Sequence, residues 1–327
     1  MATIYDVAKR AGVSTYTVSA VLNRSAYVSP ELTERVQQAV RELDYTINDL
    51  ARSLQTRRTR TAGMLIPDIA SPFYAKVVRG AEDRLRQESY SLLLGSTYNL
   101  PEEQSRYTTV FRSKQVDGLL MFLSAGGEED AQRLVESGKP VVFVGRAPRS
   151  FDADTVTVDN AKGTRLAIEH LISHNHKWIA IITGHLQLST GADRVTAWKR
   201  VLARHKLPRP DEFLGEGDWT AESGYRLTLQ FLKLKQQPTA IFAANFLMMT
   251  GILKALKESR LRCPEDVEVV SSDDSEWLDV FEPPVTTVVQ PSYEMGERAA
   301  GLLMRRIAQP QRPFEKVLLE PSLRIRP

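Results

Sequence analysis

Residues 1–22, MATIYDVAKRAGVSTYTVSAVL, read as a helix, a tight turn at Gly12 and a second helix. Thr3 is placed to cap the first helix with Asp6 three residues on, while Val7, Ala8 and Ala11 keep one apolar face. Gly12 stops that helix and Ser14 can cap the next, in which Val18, Val21 and Leu22 point inward and Thr15, Tyr16 and Ala20 look outward. Ser29 and Pro30 announce a third helix, with Leu32, Val36, Ala39, Val40 and Leu43 at helical spacing. Outward side chains at the start of such a second helix reach base edges in a DNA major groove. An ordinary helical hairpin has the same spacing, so the spacing alone leaves both readings open.

Residues 45–54, YTINDLARSL, carry Asn48 as a cap and only Leu50, Ala51 and Leu54 as apolar groups. That is too little surface for a stable isolated helix, so this segment needs a partner to form. Residues 1–60 hold nine Lys/Arg against six Asp/Glu, which accounts for the whole formal charge of +3. Arg52, Arg57, Arg58 and Arg60 cluster here and could neutralise phosphates; a solvated linker is the bland alternative, and it suits Arg60 better than Arg52.

From residue 61 short apolar runs alternate with helical periods: AGMLIP, a helix over 73–87, SLLLGS, GLLMFL and VVFVG, then WIAIIT, TAIFAAN and VEVVSS. This is a βαβ series, predicting two doubly wound α/β lobes with parallel sheets. Ligands of such sheets sit beyond the carboxyl ends of the strands. There the sequence offers Asp68, Ser71, Phe73 and Tyr74 after the first run, Thr190 and Arg194 after WIAIIT, Trp219 after GEGD, and Asp273 and Asp274 after VEVVSS. Aromatic faces with Asp and Arg suit a polar, ring-shaped ligand, although an isolated aromatic is usually core and an Asp after a strand is often a helix cap.

The 327 residues suggest about two domains, and 42% apolar content allows full cores. A single Cys263 excludes an internal disulfide framework, and without a signal peptide or a long uncharged apolar run a cytoplasmic protein without membrane association is expected. No nucleophile elbow, phosphate loop or dinucleotide glycine motif is present, so enzyme activity has no positive support. His170, His174 and His176 lie close together, but no Cys or nearby acid completes a metal set; they read as charges at a helix end, and no metal is expected.

The runs IYDVAKRAGVSTYTVSAVLN (4–23), YVSPELTERVQQAVRELDY (27–45) and NDLARSL (48–54) resemble the DNA-binding headpiece of the LacI/GalR family of sugar-responsive repressors, and the resemblance extends through the rest of the chain. It implies a small all-α helix-turn-helix headpiece (1–46), a hinge helix and linker (47–60) and a two-lobed effector-binding and dimerisation domain (61–327) like the type I periplasmic binding proteins. The N-lobe is expected at about 61–159 and 290–320 and the C-lobe at about 160–289. It further implies base reading by Thr15, Tyr16 and Ala20, with Ser14, Thr17, Ser19 and Asn23 contacting or supporting phosphates. Leu54 falls where the family inserts a leucine into the minor groove, a wedge that unstacks a base step. Thr3, Asn48, Ala51 and Arg52 complete the expected DNA-contacting set.

The effector positions implied are Phe73, Tyr74, Arg194, Trp219, Asn245, Asp273 and Gln290, to which Arg146 and Thr190 are added from the residues themselves. Ala20 stands where arginine is common and Ile47 where proline is usual. In the lobes, Gly145 replaces an aspartate and is followed by Arg146, Leu188 replaces a polar contact, Phe246 an aspartate, and Ser271-Ser272 a glycine-aromatic pair. Arginine in place of an acid favours an anionic effector such as a sugar acid or sugar phosphate. The resemblance therefore implies a homodimeric, effector-controlled regulator, most simply a repressor, of carbohydrate genes that binds double-stranded pseudo-palindromic operator DNA and needs no cofactor. The 322–327 segment, SLRIRP, has no leucine heptad, which favours a dimer over a tetramer. The alternative is a stand-alone sugar-binding protein or carbohydrate enzyme with an incidental helical cap.

Overall fold

The computed structural model describes residues 2–23, 26–45 and 58–326. The chain divides into two compact units, Met1–Thr59 and Arg60–Pro327.

In the first unit, α1 (Ile4–Ala11), α2 (Thr15–Asn23) and α3 (Pro30–Glu42) surround one small core. Thr3 and Asp6 form a reciprocal capping box, the Asp6 amide donating to Thr3 Oγ1 at 3.3 Å and the Thr3 amide to Asp6 Oδ2 at 2.9 Å. Gly12 closes α1 at φ 66°, a left-handed conformation that costs glycine little. The Arg35 guanidinium donates to the Ala11 carbonyl at 2.6 Å, satisfying an acceptor at the helix end and tying α3 to α1. Val7, Ala8, Ala11, Val18, Val36 and Ala39 are buried together, with Val21, Leu22, Val40 and Leu43 packed on them.

The second unit holds two six-stranded sheets. The N-lobe sheet comprises β1 (Thr61–Ile66), β2 (Ser91–Ser96), β3 (Gly118–Met121), β4 (Val141–Val144), β5 (Asp154–Val158) and β11 (Lys316–Leu319), in the order β2-β1-β3-β4-β5-β11 and parallel throughout. The C-lobe sheet comprises β6 (Ile179–Thr183), β7 (Leu214–Glu216), β8 (Ala240–Ala243), β9 (Glu268–Ser272), β10 (Thr286–Val289) and β12 (Ser322–Arg324), in the order β7-β6-β8-β9-β10-β12, with β12 antiparallel to β10. The two lobes thus share one winding, and its order reverses beside β1 and β6, which fixes where a ligand crevice lies.

Helices α4 (Pro72–Gln87), α5 (Pro101–Ser113) and α6 (Glu128–Glu136) belong to the N-lobe series, and α7 (Asn160–Ser173), α8 (Ser189–Arg204), α9 (Ala221–Phe231) and α10 (Phe246–Glu258) to the C-lobe series. After β10 the chain returns through α11 (Ser292–Ala308), which packs on α4. That crossing is close because Gly80 and Gly296 face backbone: a Cβ at either would come within 2.0 Å of the Tyr293 or Val77 carbonyl oxygen. The chain passes between lobes after β5, after β10 and after β11.

β2 is an edge strand, and Leu93 and Leu94 on it are exposed rather than covered. The strands not legible in the sequence are β5, β7, β10, β11 and β12, which are short or carry Thr and charged residues instead of an apolar run.

Candidate functional site

Two regions gather the candidate residues, one in each unit. In the headpiece, the first turn of α2 presents Tyr16, 74% exposed, with Thr15 and Thr17 half-buried beside it. Ser14 accepts the Thr17 amide at 3.1 Å and shares a 3.0 Å hydroxyl contact with Thr17, so both hydroxyls help to start the helix. Ser19 is half-buried. Thr3 is exposed, with its hydroxyl 2.7 Å from Asp6 Oδ2. Ala20 departs from expectation: it is 2% exposed, not outward-facing. Buried to that degree, its methyl group offers no atom to a base edge. The side chain of Asn23 and all of Asn48, Ala51, Arg52 and Leu54 lie outside the described residues.

In the second unit, Phe73, Tyr74, Arg146, Thr190, Arg194, Trp219, Asn245, Asp273 and Gln290 all line one cleft between the lobes. Each follows a strand's carboxyl end, so the crevice collects loop and helix-start residues from both sheets. Phe73, Tyr74 and Phe122 pack edge-to-face with centroids 5.0–6.3 Å apart, forming the N-lobe's apolar wall.

Opposite, the Trp219 ring lies 5.6 Å from the guanidinium carbon of Arg146 and 5.6 Å from that of Arg194, within cation–π range of both. Trp219 adopts φ 74°, an outlier for a bulky residue, and is held there on several sides. Asp218 accepts the Thr220 amide at 3.0 Å, the Asn245 side-chain amide donates to the Trp219 carbonyl at 2.9 Å, and Gly184 leaves room for the indole. A Cβ on Gly184 would sit 1.9 Å from Trp219 Cε2. Asn245 uses its side-chain oxygen to cap α10 at the Met248 amide, 2.8 Å, so both ends of this side chain position the site.

Arg146 and Arg194 are both buried, and among the described residues neither has a carboxylate within 4.0 Å. Arg146 donates to Asn99 Oδ1 at 2.6 Å and to the Leu123 carbonyl at 2.7 Å, and Arg194 makes a 3.5 Å contact to the Thr190 carbonyl. Burial pulls both guanidiniums below their ordinary range, yet they remain charged at any ordinary pH. Asp273, itself at φ 71°, is pushed up to about 6 by burial, against the pull of Arg194 and the hydrogen bonds from Gln290 and the Phe246 amide. Burial likewise raises the Tyr74 phenol. Among the described residues Trp219 Nε1 and Thr190 Oγ1 are buried without a hydrogen-bond partner, two polar atoms on the cleft wall that a ligand could satisfy.

Ser71, Phe122, Gly145, Asn160 and Ala244 also line the cleft. Phe122 was hidden in the apolar run GLLMFL, whose strand ends at Met121, and Asn160 follows β5, a strand whose Thr-rich sequence gave no signal. Gly145 has φ 70°, and a Cβ there would meet the Phe122 ring at 2.5 Å, so an aspartate at this position would displace the aromatic wall. Asp68 and Asp274 lie off the cleft: Asp68 accepts the Ala70 amide at 2.9 Å, and Asp274 pairs with Arg326 at 2.8 Å. One premise of the histidine reading is corrected, because an acid does meet them: Glu268 lies 2.9 Å from both His174 and His176. It is more than ninety positions away in sequence and reaches them only through the fold of the sheet.

Residues 3–48 match the family described as bacterial regulatory proteins, lacI family, and residues 168–327 match a periplasmic binding protein-like domain. The HTH-type transcriptional repressor PurR of Vibrio atlanticus (strain LGP32) is 35% identical over 308 residues, 94% of this chain and 92% of the relative. The chain belongs to the LacI family. Among other LacI-family relatives, the ribose operon repressor of Escherichia coli (strain K12) is 36% identical over 324 residues, 99% of this chain and 98% of its own length. A Lac repressor dimer bound to operator and the anti-inducer ONPF superposes with a TM-score of 0.85 at 29% identity, covering 98% of this chain and 97% of that one. A complex of the transcriptional regulator CelR with cellobiose gives 0.73 at 32% identity, with 99% of each chain covered. Like these LacI-family relatives, the protein is a DNA-binding transcription regulator and not an enzyme. No helix among the described residues is long and apolar enough to cross a membrane.

Proposed function

We propose that this LacI-family protein is a cytoplasmic homodimeric repressor of carbohydrate genes whose grip on pseudo-palindromic operator DNA is set by an anionic carbohydrate, a sugar acid or sugar phosphate, held between the lobes. The observation that carries the effector class is the pair of buried guanidiniums, Arg146 and Arg194, flanking Trp219 with no carboxylate within 4.0 Å among the described residues. Two buried guanidiniums share the cleft with one carboxylate, Asp273, which acts on Arg194 from beyond ion-pair distance, and an anionic ligand supplies the remaining counter-charge in a bidentate geometry. Asp273 and Gln290 then take hydroxyls, and the aromatic wall takes the C–H face of a ring. Relatives named for ribose and crystallised with cellobiose support a carbohydrate.

The homodimer is supported by the dimeric Lac repressor and by apolar groups left in water, Leu93 and Leu94 on the edge strand and Trp277, Val280 and Phe281 in the C-lobe. In the headpiece Thr15 and Tyr16 read bases, and Ser14, Thr17, Ser19 and Asn23 support the backbone contacts, with Leu54 as the minor-groove wedge and Arg52 on phosphates. Effector binding alters the angle between lobes joined by three crossings, and this changes the folded fraction of the hinge helices. Operator and effector affinities then shift by one common factor.

The test is calorimetry of the full chain against sugar acids, sugar phosphates and their neutral parents. Tight binding of an anionic member, lost in Arg146→Ala, is expected; equally tight binding of a neutral sugar that ignores Arg146→Ala overturns the effector class. A mobility-shift assay with palindromic and random duplexes at rising salt tests the DNA role.

A further inference from the structure

At the end of the C-lobe sheet remote from the cleft, Glu268 opens β9, roughly 16 Å along the strand from Asp273 at the usual rise per residue. His170 and His174 stand one turn apart at the end of α7, so both imidazoles project to one side. His174 Nδ1 lies 2.9 and 3.0 Å from the two Glu268 oxygens. His176 Nε2 lies 2.9 Å from one of them, and its Nδ1 contacts Thr239 Oγ1 at 2.9 Å. His170 Nε2 is 3.4 Å from Glu268 Oε1, buried, and without a hydrogen-bond partner among the described residues. One ligand atom from each of His170, His174 and Glu268 falls within 4.8 Å of the others.

We propose that His170, His174 and Glu268 form a binding site for a divalent transition-metal ion of the zinc type, with water completing a tetrahedron and His176 holding the outer carboxylate oxygen. Two imidazoles and a carboxylate match the borderline character of such an ion, whereas calcium or magnesium would require more oxygen ligands. Around a tetrahedral zinc, bonds of about 2.0–2.2 Å put ligand atoms about 3.4 Å apart. The His170–Oε1 separation already has that value, and the 3.0 Å contact of His174 Nδ1 to the same oxygen opens by a few tenths of an ångström when the hydrogen-bond proton is replaced. The ion would satisfy the orphaned His170 nitrogen, and the Thr239 contact would orient His176 in support of the carboxylate. Cys263 is not among these ligands, and its thiol, pushed up to about 11 by burial, stays protonated. The site joins the end of α7 to the start of β9, which makes the ion a staple of the C-lobe and not a participant in the cleft.

The untagged full-length protein, stripped with chelator and dialysed, is titrated with zinc chloride alone. One equivalent bound per chain is expected, together with a higher melting temperature and, with cobalt(II) in its place, the visible absorption of a tetrahedral centre. His174 is half exposed, so His174→Ala leaves the fold intact, and it and Glu268→Gln are each expected to weaken zinc about tenfold or more. Absence of saturable binding at millimolar zinc, or undiminished affinity in both variants, overturns the site.

Discussion

Gln290, on the segment by which the chain leaves the C-lobe sheet for α11, donates its side-chain amide to the buried carboxylate of Asp273. An inter-lobe crossing and the most strongly shifted acid of the cleft are thereby one hydrogen-bonded unit. Whatever ligand engages Asp273 also bears on one of the segments that connect the lobes.

The first consequence concerns pH. Asp273 titrates at about 6 in the folded protein, against about 4 in an unfolded chain. The folded state therefore holds the proton more tightly, and between pH 4 and 6 the apo protein loses stability as pH rises. Binding follows the same group: lowering the pH through 6 neutralises Asp273 and raises the net positive charge of the cleft. An anionic effector is expected to bind more tightly at pH 5 than at pH 7, with the difference abolished in Asp273→Asn. A neutral sugar donating a hydroxyl to the carboxylate would show the opposite slope, and calorimetry at the two pH values distinguishes them.

Trp219 carries the second prediction. Replacing it with alanine removes a ring face shared by two guanidiniums, an interaction of about 1–2 kcal/mol, so effector affinity should fall roughly tenfold or more. DNA affinity without effector should stay unchanged, because the substitution touches no headpiece residue. Gly184→Ala should reproduce the loss by displacing the indole from beneath, and tryptophan fluorescence would report the displacement. An unaltered effector titration in both variants would remove Trp219 from the site.

Tyr16 is the most exposed residue of the second helix's first turn. Tyr16→Ala is expected to cost operator binding about 1–3 kcal/mol while leaving binding to random duplex and the salt slope nearly unchanged. Leu54→Ala should also reduce operator discrimination more than nonspecific affinity; equal losses on the two DNAs count against the wedge.

Stability of the N-lobe depends on a buried pair. Arg306 of α11 reaches Asp154 of β5 with contacts of 2.7 and 3.1 Å and also binds the carbonyls of Pro310 and Pro313 at 3.0 Å. Asp154→Ala leaves that guanidinium buried without its acid and should destabilise the second unit by about 3–5 kcal/mol, read as a lowered melting temperature. A loss under 1 kcal/mol would mean that the carbonyls suffice.

The headpiece was legible in the chain because its signals are local: a Thr3/Asp6 box, a Gly12 stop, a Ser29-Pro30 start and an apolar stripe each act within a few residues. The winding of the lobes was legible for a similar reason, since strands buried on both faces must be continuous apolar runs. Other features arose only when distant segments met. Ala20 is buried although its place in the helical pattern pointed outward. Phe122 and Asn160 join the cleft through strand ends that no run marked. Glu268 meets three histidines because β9 begins beside the end of α7, and the proton affinity of Asp273 is set by the water it loses. Sequence by itself determined the headpiece helices, the seven apolar strands and the chemical groups that follow those strands, because propensity and periodicity are short-range. Tertiary structure alone decided burial, charge neighbourhood and strain, which depend on what the fold brings within a few ångströms.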